Sequence, residues 1–194
     1  MRENRELRAI ARSQLQGTWI PAILVTLIYC VIIGASSFVI VGPLVLGGPL
    51  TLGLYGYYMN KARNKSVSLE NLFDVFKDVQ KDGIKEILPS ILLYLLVTIF
   101  ITLWSLLLIV PGIIKGLSYS MSFFILRDNP KLDAMSAINQ SKQMMNGYKW
   151  KLFLLCLSFL GWGLLCILTF GIGFLWLIPY MLSSFANFYE DLKK

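Results

Sequence analysis

The chain has 194 residues, of which 56% are hydrophobic and only 15% charged. A soluble domain carries roughly a quarter charged residues, so the composition argues against an ordinary soluble domain and for a lipid-facing surface. The net charge of +7 is spread over short segments rather than one basic stripe, which disfavours nucleic acid and suits anionic lipid headgroups beside a membrane.

The first segment reads as an amphipathic helix, with Leu7, Ile10, Ala11 and Leu15 on one face opposite arginines. No charged residue occurs from Ser13 to Asn60, none from Leu152 to Tyr189, and only Lys115 between Ile87 and Leu126. Each run is about twice the ~20 residues that one spanning helix needs, so each is expected to fold back on itself. Gly42-Pro43 with Gly47-Gly48-Pro49, Val110-Pro111-Gly112, and Thr169-Phe170-Gly171-Ile172-Gly173 are the expected breaks. The expected outgoing segments are Trp19–Val41, Ile87–Val110 and Lys151–Thr169. The returning ones are Gly48–Asn60, Gly112–Leu126 and Gly173–Tyr189. A cleaved leader is not expected, because the first apolar stretch is longer than a signal-peptide core.

A second amphipathic helix is expected from Ser68 as its cap, with Leu69, Leu72, Phe73, Phe76 and Val79 as its stripe. A third is expected from Asn129 as cap and Pro130 at the first position, leaving at Gly147, with Leu132, Met135, Ile138 and Met144 or Met145 as its stripe. The fold class is therefore all-α: a polytopic bundle of six spans in three hairpins, with cytoplasmic amphipathic helices. The chain reads as a single integral membrane domain over residues 1–194.

All eleven acidic residues and seventeen of the eighteen basic ones fall in the N-terminal segment, the polar connections or the tail. The positive-inside rule then puts both termini in the cytoplasm. Internal similarity supports the same division into pseudo-repeats of about 1–60, 61–126 and 127–194. Tyr55, Tyr119 and Tyr180 each fall seven residues after Gly48, Gly112 and Gly173, and Ala9-Ile10 with Ser13 matches Ala137-Ile138 with Ser141. The middle unit keeps Leu72, Phe76 and Gly83.

Chemistry-bearing residues are few. There is no histidine, the commonest general base and metal ligand. Cys30, Cys156 and Cys166 sit in apolar runs and suit buried or lipid-facing hydrophobes. Neither Walker, GxSxG nor HExxH motifs occur, so an enzyme is the least favoured class and no catalytic residue, cofactor or metal is expected. Lys115 is the one charge within a membrane run, where it can reach the interface or gate a site. The hydroxyls of Tyr55, Tyr119, Tyr180, Ser118, Ser122 and Ser183 concentrate on returning segments, as a candidate polar membrane site or as interhelical hydrogen bonds. Gly112, Gly116 and Ser120 form a small-residue ridge for helix packing, and Trp19 and Trp150 suit interfacial anchors.

Several segments resemble a known family. They are Ile125-Leu126-Arg127-Asp128-Asn129-Pro130, Met144-Met145-Asn146-Gly147-Tyr148-Lys149-Trp150, Leu157-Ser158-Phe159-Leu160-Gly161-Trp162, Gly171-Ile172-Gly173, Pro179-Tyr180 and Phe188-Tyr189, together with Ala9 to Trp19 and Pro111-Gly112-Ile113-Ile114. They are similar to the bacterial integral-membrane family of unknown function DUF975. The resemblance implies a bacterial inner membrane protein and supplies no activity. A weaker likeness in layout is to the membrane portion beside some glycerophosphodiester phosphodiesterases. The function expected is a non-enzymatic membrane scaffold or accessory factor. The alternative is a small transporter, channel or lipid-moving protein. The expected partners are membrane lipids, with a second copy or another membrane protein, and no nucleic acid.

Overall fold

The computed structural model describes residues 1–38, 41–77 and 87–193. Among the described residues the regular structure is helical: α1 (Asn4–Leu15), α2 (Trp19–Ser36), α3 (Gly42–Ala62), a 3-10 turn η1 (Leu69–Phe73), α4 (Ile87–Leu107), α5 (Ile109–Tyr119), α6 (Ser122–Asp128), α7 (Ala134–Met144), α8 (Lys149–Leu168) and α9 (Phe174–Leu192).

α1 begins with a reciprocal cap between Glu3 and Glu6 and buries Leu7, Ala11 and Leu15, the spacing that lines one side of a helix. Its partner is α9. α2 turns outward the apolar stripe of Ile20, Leu24, Leu27 and Val31, and buries Ala22, Val25 and Thr26 against the protein. Such a continuous apolar stripe is costly in water and natural in lipid.

The first expected break is corrected. Gly47-Gly48-Pro49 does not interrupt the chain but lies inside α3, which runs unbroken from Gly42 to Ala62. The small residues serve close approach instead. A methyl group built on Gly47 would lie 2.8 Å from the Tyr94 ring, and one on Gly48 would lie 2.6 Å from the Ser90 carbonyl carbon, so α3 and α4 nearly touch there. At Gly53 the intruder would be the Leu72 backbone of η1, and at Gly56 the Arg127 side chain. α3 is thus the central helix, in contact with α2, η1, α4, α6 and α9.

The second amphipathic element is η1, capped as expected by Ser68, with Asn71 returning the bond. It continues helically over residues 74–77. Leu72 and Val75 are buried, and Leu69 and Phe73 face outward. Val79 and Gly83 lie outside the described residues.

The second hairpin also turns earlier than expected. α4 ends at Leu107, Leu108 is extended, and α5 starts at Ile109. Pro111 then sits in the first turn of α5, where backbone N–H groups have no intrahelical partner to lose. A methyl on Gly112 would lie 2.9 Å from the Ser105 Cα, so this glycine packs α5 on α4. A short interruption at Ser120-Met121 separates α5 from α6.

The third amphipathic helix differs at its start. Asn129 closes α6, and Asp133 caps α7 by accepting from the Ser136 N–H at 3.0 Å. The buried face is Ala134, Ala137, Ile138, Ser141 and Met145, whereas Met135 is exposed. Small residues win this face because α7 packs closely beneath α4 and α6. The matching stretch in α1 is used differently: Ala9 is exposed and Ser13 bonds only its own helix, at the Ile10 carbonyl. The third turn falls where expected, with Phe170 and Gly171 in the left-handed region between α8 and α9.

Among the described residues four helical segments are long and apolar enough to cross a membrane: Trp19–Ser36, Ile87–Leu107, Ile109–Asp128 (α5 with α6) and Lys149–Leu168. α3 and α9 are of comparable length but more polar. α3 is largely enclosed by its neighbours, so its own surface need not match lipid, and the polar face of α9 is spent on α1 and α3.

Candidate functional site

The C-terminal ends of α3, α6 and α9 meet in a network of charges. Arg63, just past α3, lies 2.6 Å from Asp128 and 2.7 Å from Glu190. Asp128 also accepts from Lys193 and from the Tyr189 hydroxyl, each at 2.8 Å. Burial works against the Arg63 charge, but the hydrogen bonds to Glu190 and Asp128 outweigh it and hold the guanidinium above its ordinary value. Arg127 passes Gly56 and reaches Asp74 at 3.0 Å, tying η1 to the same region. Lys151 donates to the Arg2 carbonyl, and Asp191 accepts from the Arg2 N–H, which fixes the start of α1 between α8 and α9.

The residues expected to form a polar membrane site do not converge on one cavity. Tyr55 packs on Phe124 and Phe123, at ring separations of 4.6 and 5.5 Å. Ser118 is buried, and its carbonyl accepts from Ser141. Tyr119 is buried against Phe100. The Ser122 and Ser183 hydroxyls are buried with no hydrogen-bond partner among the described residues. Lys115 lies over the Trp104 ring at 4.5 Å. Along the small-residue ridge, Gly112 touches Ser105, Gly116 faces open space, and the Ser120 hydroxyl donates to its own helix at Leu117. Trp150 is exposed and stacks on Phe153.

Tyr180 is the exception. With Arg12, Trp19, Trp162, Leu165, Cys166, Thr169, Gly173, Trp176 and Leu177, it lines a cleft of about 360 Å³ between α8 and α9. The two helices touch only briefly, and α1, which contacts both, contributes Arg12 to the lining. One wall is held by Phe159, which meets Tyr180 edge-to-face at 5.2 Å. Arg12 lies 5.8 Å above the Tyr180 ring. Trp162 and Tyr180 also border a second space of about 360 Å³, whose other lining residues are Arg5, Arg8, Ala9, Arg12, Ser13 and Gln16. The two spaces therefore adjoin at Arg12, Trp162 and Tyr180: an aromatic, apolar slot beside an arginine-lined mouth.

The polar end has a clear sequence origin. Residues 5, 8, 9, 12, 13 and 16 share one face of a helix of 3.6 residues per turn, opposite the buried Leu7–Ala11–Leu15 face. From the sequence these arginines read as the polar side of α1 and as positive-inside charges. Their repetition at positions 5, 8 and 12 was the available signal, while the approach of Trp162 required the tertiary fold.

No curated protein and no solved structure matches the chain. Residues 106–194, which include the whole of α8 and α9, match the family model described as Protein of unknown function (DUF975). The C-terminal part of the chain is thus similar to that family, in agreement with the sequence resemblance.

Proposed function

We propose that the chain is a non-enzymatic integral membrane protein, a scaffold or accessory factor of a bacterial inner membrane, with both termini in the cytoplasm. The observation that carries the reading is the division of its surface. Apolar stripes face outward along α2 (Ile20, Leu24, Leu27, Val31), α4 (Leu88, Leu92, Ile99, Leu103) and α8 (Leu154, Leu157, Leu164, Leu168). The charge network, in contrast, gathers where α3, α6 and α9 end. In this reading α3 and α9 complete the six membrane segments from protected positions, and the three hairpins stand side by side in one orientation. A transporter draws less support, because the Tyr55 ring packs at a tilt against Phe123 and Phe124.

Single cysteines introduced at Lys65, Lys142 and Gly171 test the topology. Positions 65 and 142 are expected to react only from the cytoplasmic side, and position 171 only from outside. Reaction of all three from one side would overturn the arrangement. A stoichiometric solute flux by the purified protein in liposomes would overturn the scaffold reading.

A further inference from the structure

The geometry points to a binding site for one anionic phospholipid, its phosphate held by Arg5, Arg8 and Arg12 and an acyl chain lying in the Trp19–Trp162–Trp176 slot. The inference rests on the membrane reading above and names the ligand class of the cleft. Among the described residues none of the three arginines forms an ion pair, although Arg63 and Arg127 on neighbouring elements are both paired. The Arg8 Nε is buried without a hydrogen-bond partner among those residues. A buried guanidinium donor left unpaired is costly, and an anion would satisfy it. No carboxylate lines the mouth. The nearest acidic residue on α1, Glu6, is engaged by the Glu3 N–H at 3.2 Å.

The adjoining slot selects between anions. Three tryptophans, Leu165 and Leu177 offer little to a free phosphate or an acidic peptide, but they suit a hydrocarbon chain. Its volume of about 360 Å³ is within the range of small-molecule sites. Charge and hydrocarbon are thus required on one molecule, at a separation set by the step from Arg12 to Trp162. Arginine also suits the oxygen geometry of a phosphodiester through its planar fork of donors.

The test uses the full chain purified in detergent. Retained lipid is read by native mass spectrometry after addition of phosphatidylglycerol or phosphatidylcholine, and tryptophan quenching is read with the same lipids brominated on their acyl chains. One phosphatidylglycerol is expected to be retained about tenfold over phosphatidylcholine, the scale of one charged hydrogen bond. Arg8→Gln with Arg12→Gln is expected to abolish the preference. Arg8→Lys, which keeps the charge, should retain part of it, and Lys131→Gln, which removes one charge elsewhere, should leave it intact. Brominated phosphatidylglycerol is expected to quench more than the choline lipid, with the excess reduced in Trp162→Phe. Glycerol phosphate, which lacks chains, should not compete. Equal retention of both lipids, an equal effect of Lys131→Gln, or competition by glycerol phosphate would each overturn the site. A melting transition in each variant separates loss of binding from loss of fold. If the selectivity fails while the protein still requires detergent for extraction, the lipid site falls and the membrane reading stands.

Discussion

The Ser141 hydroxyl of α7 donates to the Ser118 carbonyl at 2.7 Å and accepts from the Met121 N–H at 3.2 Å. It thereby bridges the interruption between α5 and α6 with a side chain from another helix. All of Ser141 is buried, so water cannot replace it, and an unsatisfied backbone group in an apolar interior is expensive. Ser141→Ala is expected to lower stability by about 1–3 kcal/mol, measured by thermal or denaturant unfolding in detergent. Ser141→Thr should recover part of the loss. An unchanged alanine variant would show that the break does not depend on this bridge.

Glycine in α3 sets how closely its neighbours approach. At Gly48 an added methyl would meet the backbone of Ser90 and Ile91, which cannot step aside as a side-chain tip can. Gly48→Ala should therefore destabilise by more than about 1 kcal/mol, despite the better helix propensity of alanine. Gly116 faces open space, and Gly116→Ala should be neutral or stabilising by up to about 1 kcal/mol. Parallel unfolding curves for the two variants check the contrast, and the reverse order would contradict the close packing of α3 on α4.

Asp128 joins three elements through Arg63, Tyr189 and Lys193, with its side chain only 8% exposed. Asp128→Ala removes their shared acceptor and leaves a partly buried guanidinium, at an expected cost of about 2 kcal/mol or more. The Glu70–Lys77 pair is exposed on both sides, and solvent screens it. Glu70→Gln should accordingly leave the unfolding midpoint unchanged. Comparable effects of the two substitutions would mean that the network adds little.

Hydrogen bonds from Ser136 hold the Asp133 carboxyl below its ordinary value of 3.8. A carboxyl lowered in the folded state adds stability above its unfolded value, and that stability is lost as the pH falls through the folded one. Hydrogen-exchange protection at the start of α7 should therefore weaken on acidification below about pH 4. Asp133→Asn keeps an acceptor but cannot titrate, and should flatten this local acid dependence. A variant that retains the full dependence would assign it to another group.

The third turn and the helix of α1 with its Leu7–Ala11–Leu15 spacing were legible because they depend on local composition. The glycine-proline pairs were not. Gly47-Gly48-Pro49 and Pro111-Gly112 look alike whether a chain turns or whether two helices pack, and only the neighbours Ser90, Tyr94 and Ser105 distinguish the cases. The hydroxyls on the returning segments likewise gave no indication of which would converge. Of that group, Tyr180 alone lines the cleft, because α9 packs mainly on α1 and α3 and less on α8.

The sequence by itself determined that the chain is helical, rich in long apolar segments and polarised in charge, since those properties follow from residue type and period. Tertiary structure decided where α2 and α4 stop, that α3 is the enclosed central helix, and which face of α7 is buried. It also joined the arginines of α1 to the tryptophans of α8 and α9, residues some 150 positions apart in sequence. The physical reason is that helix packing depends on the shape of two surfaces at once, and a single segment carries only one of them.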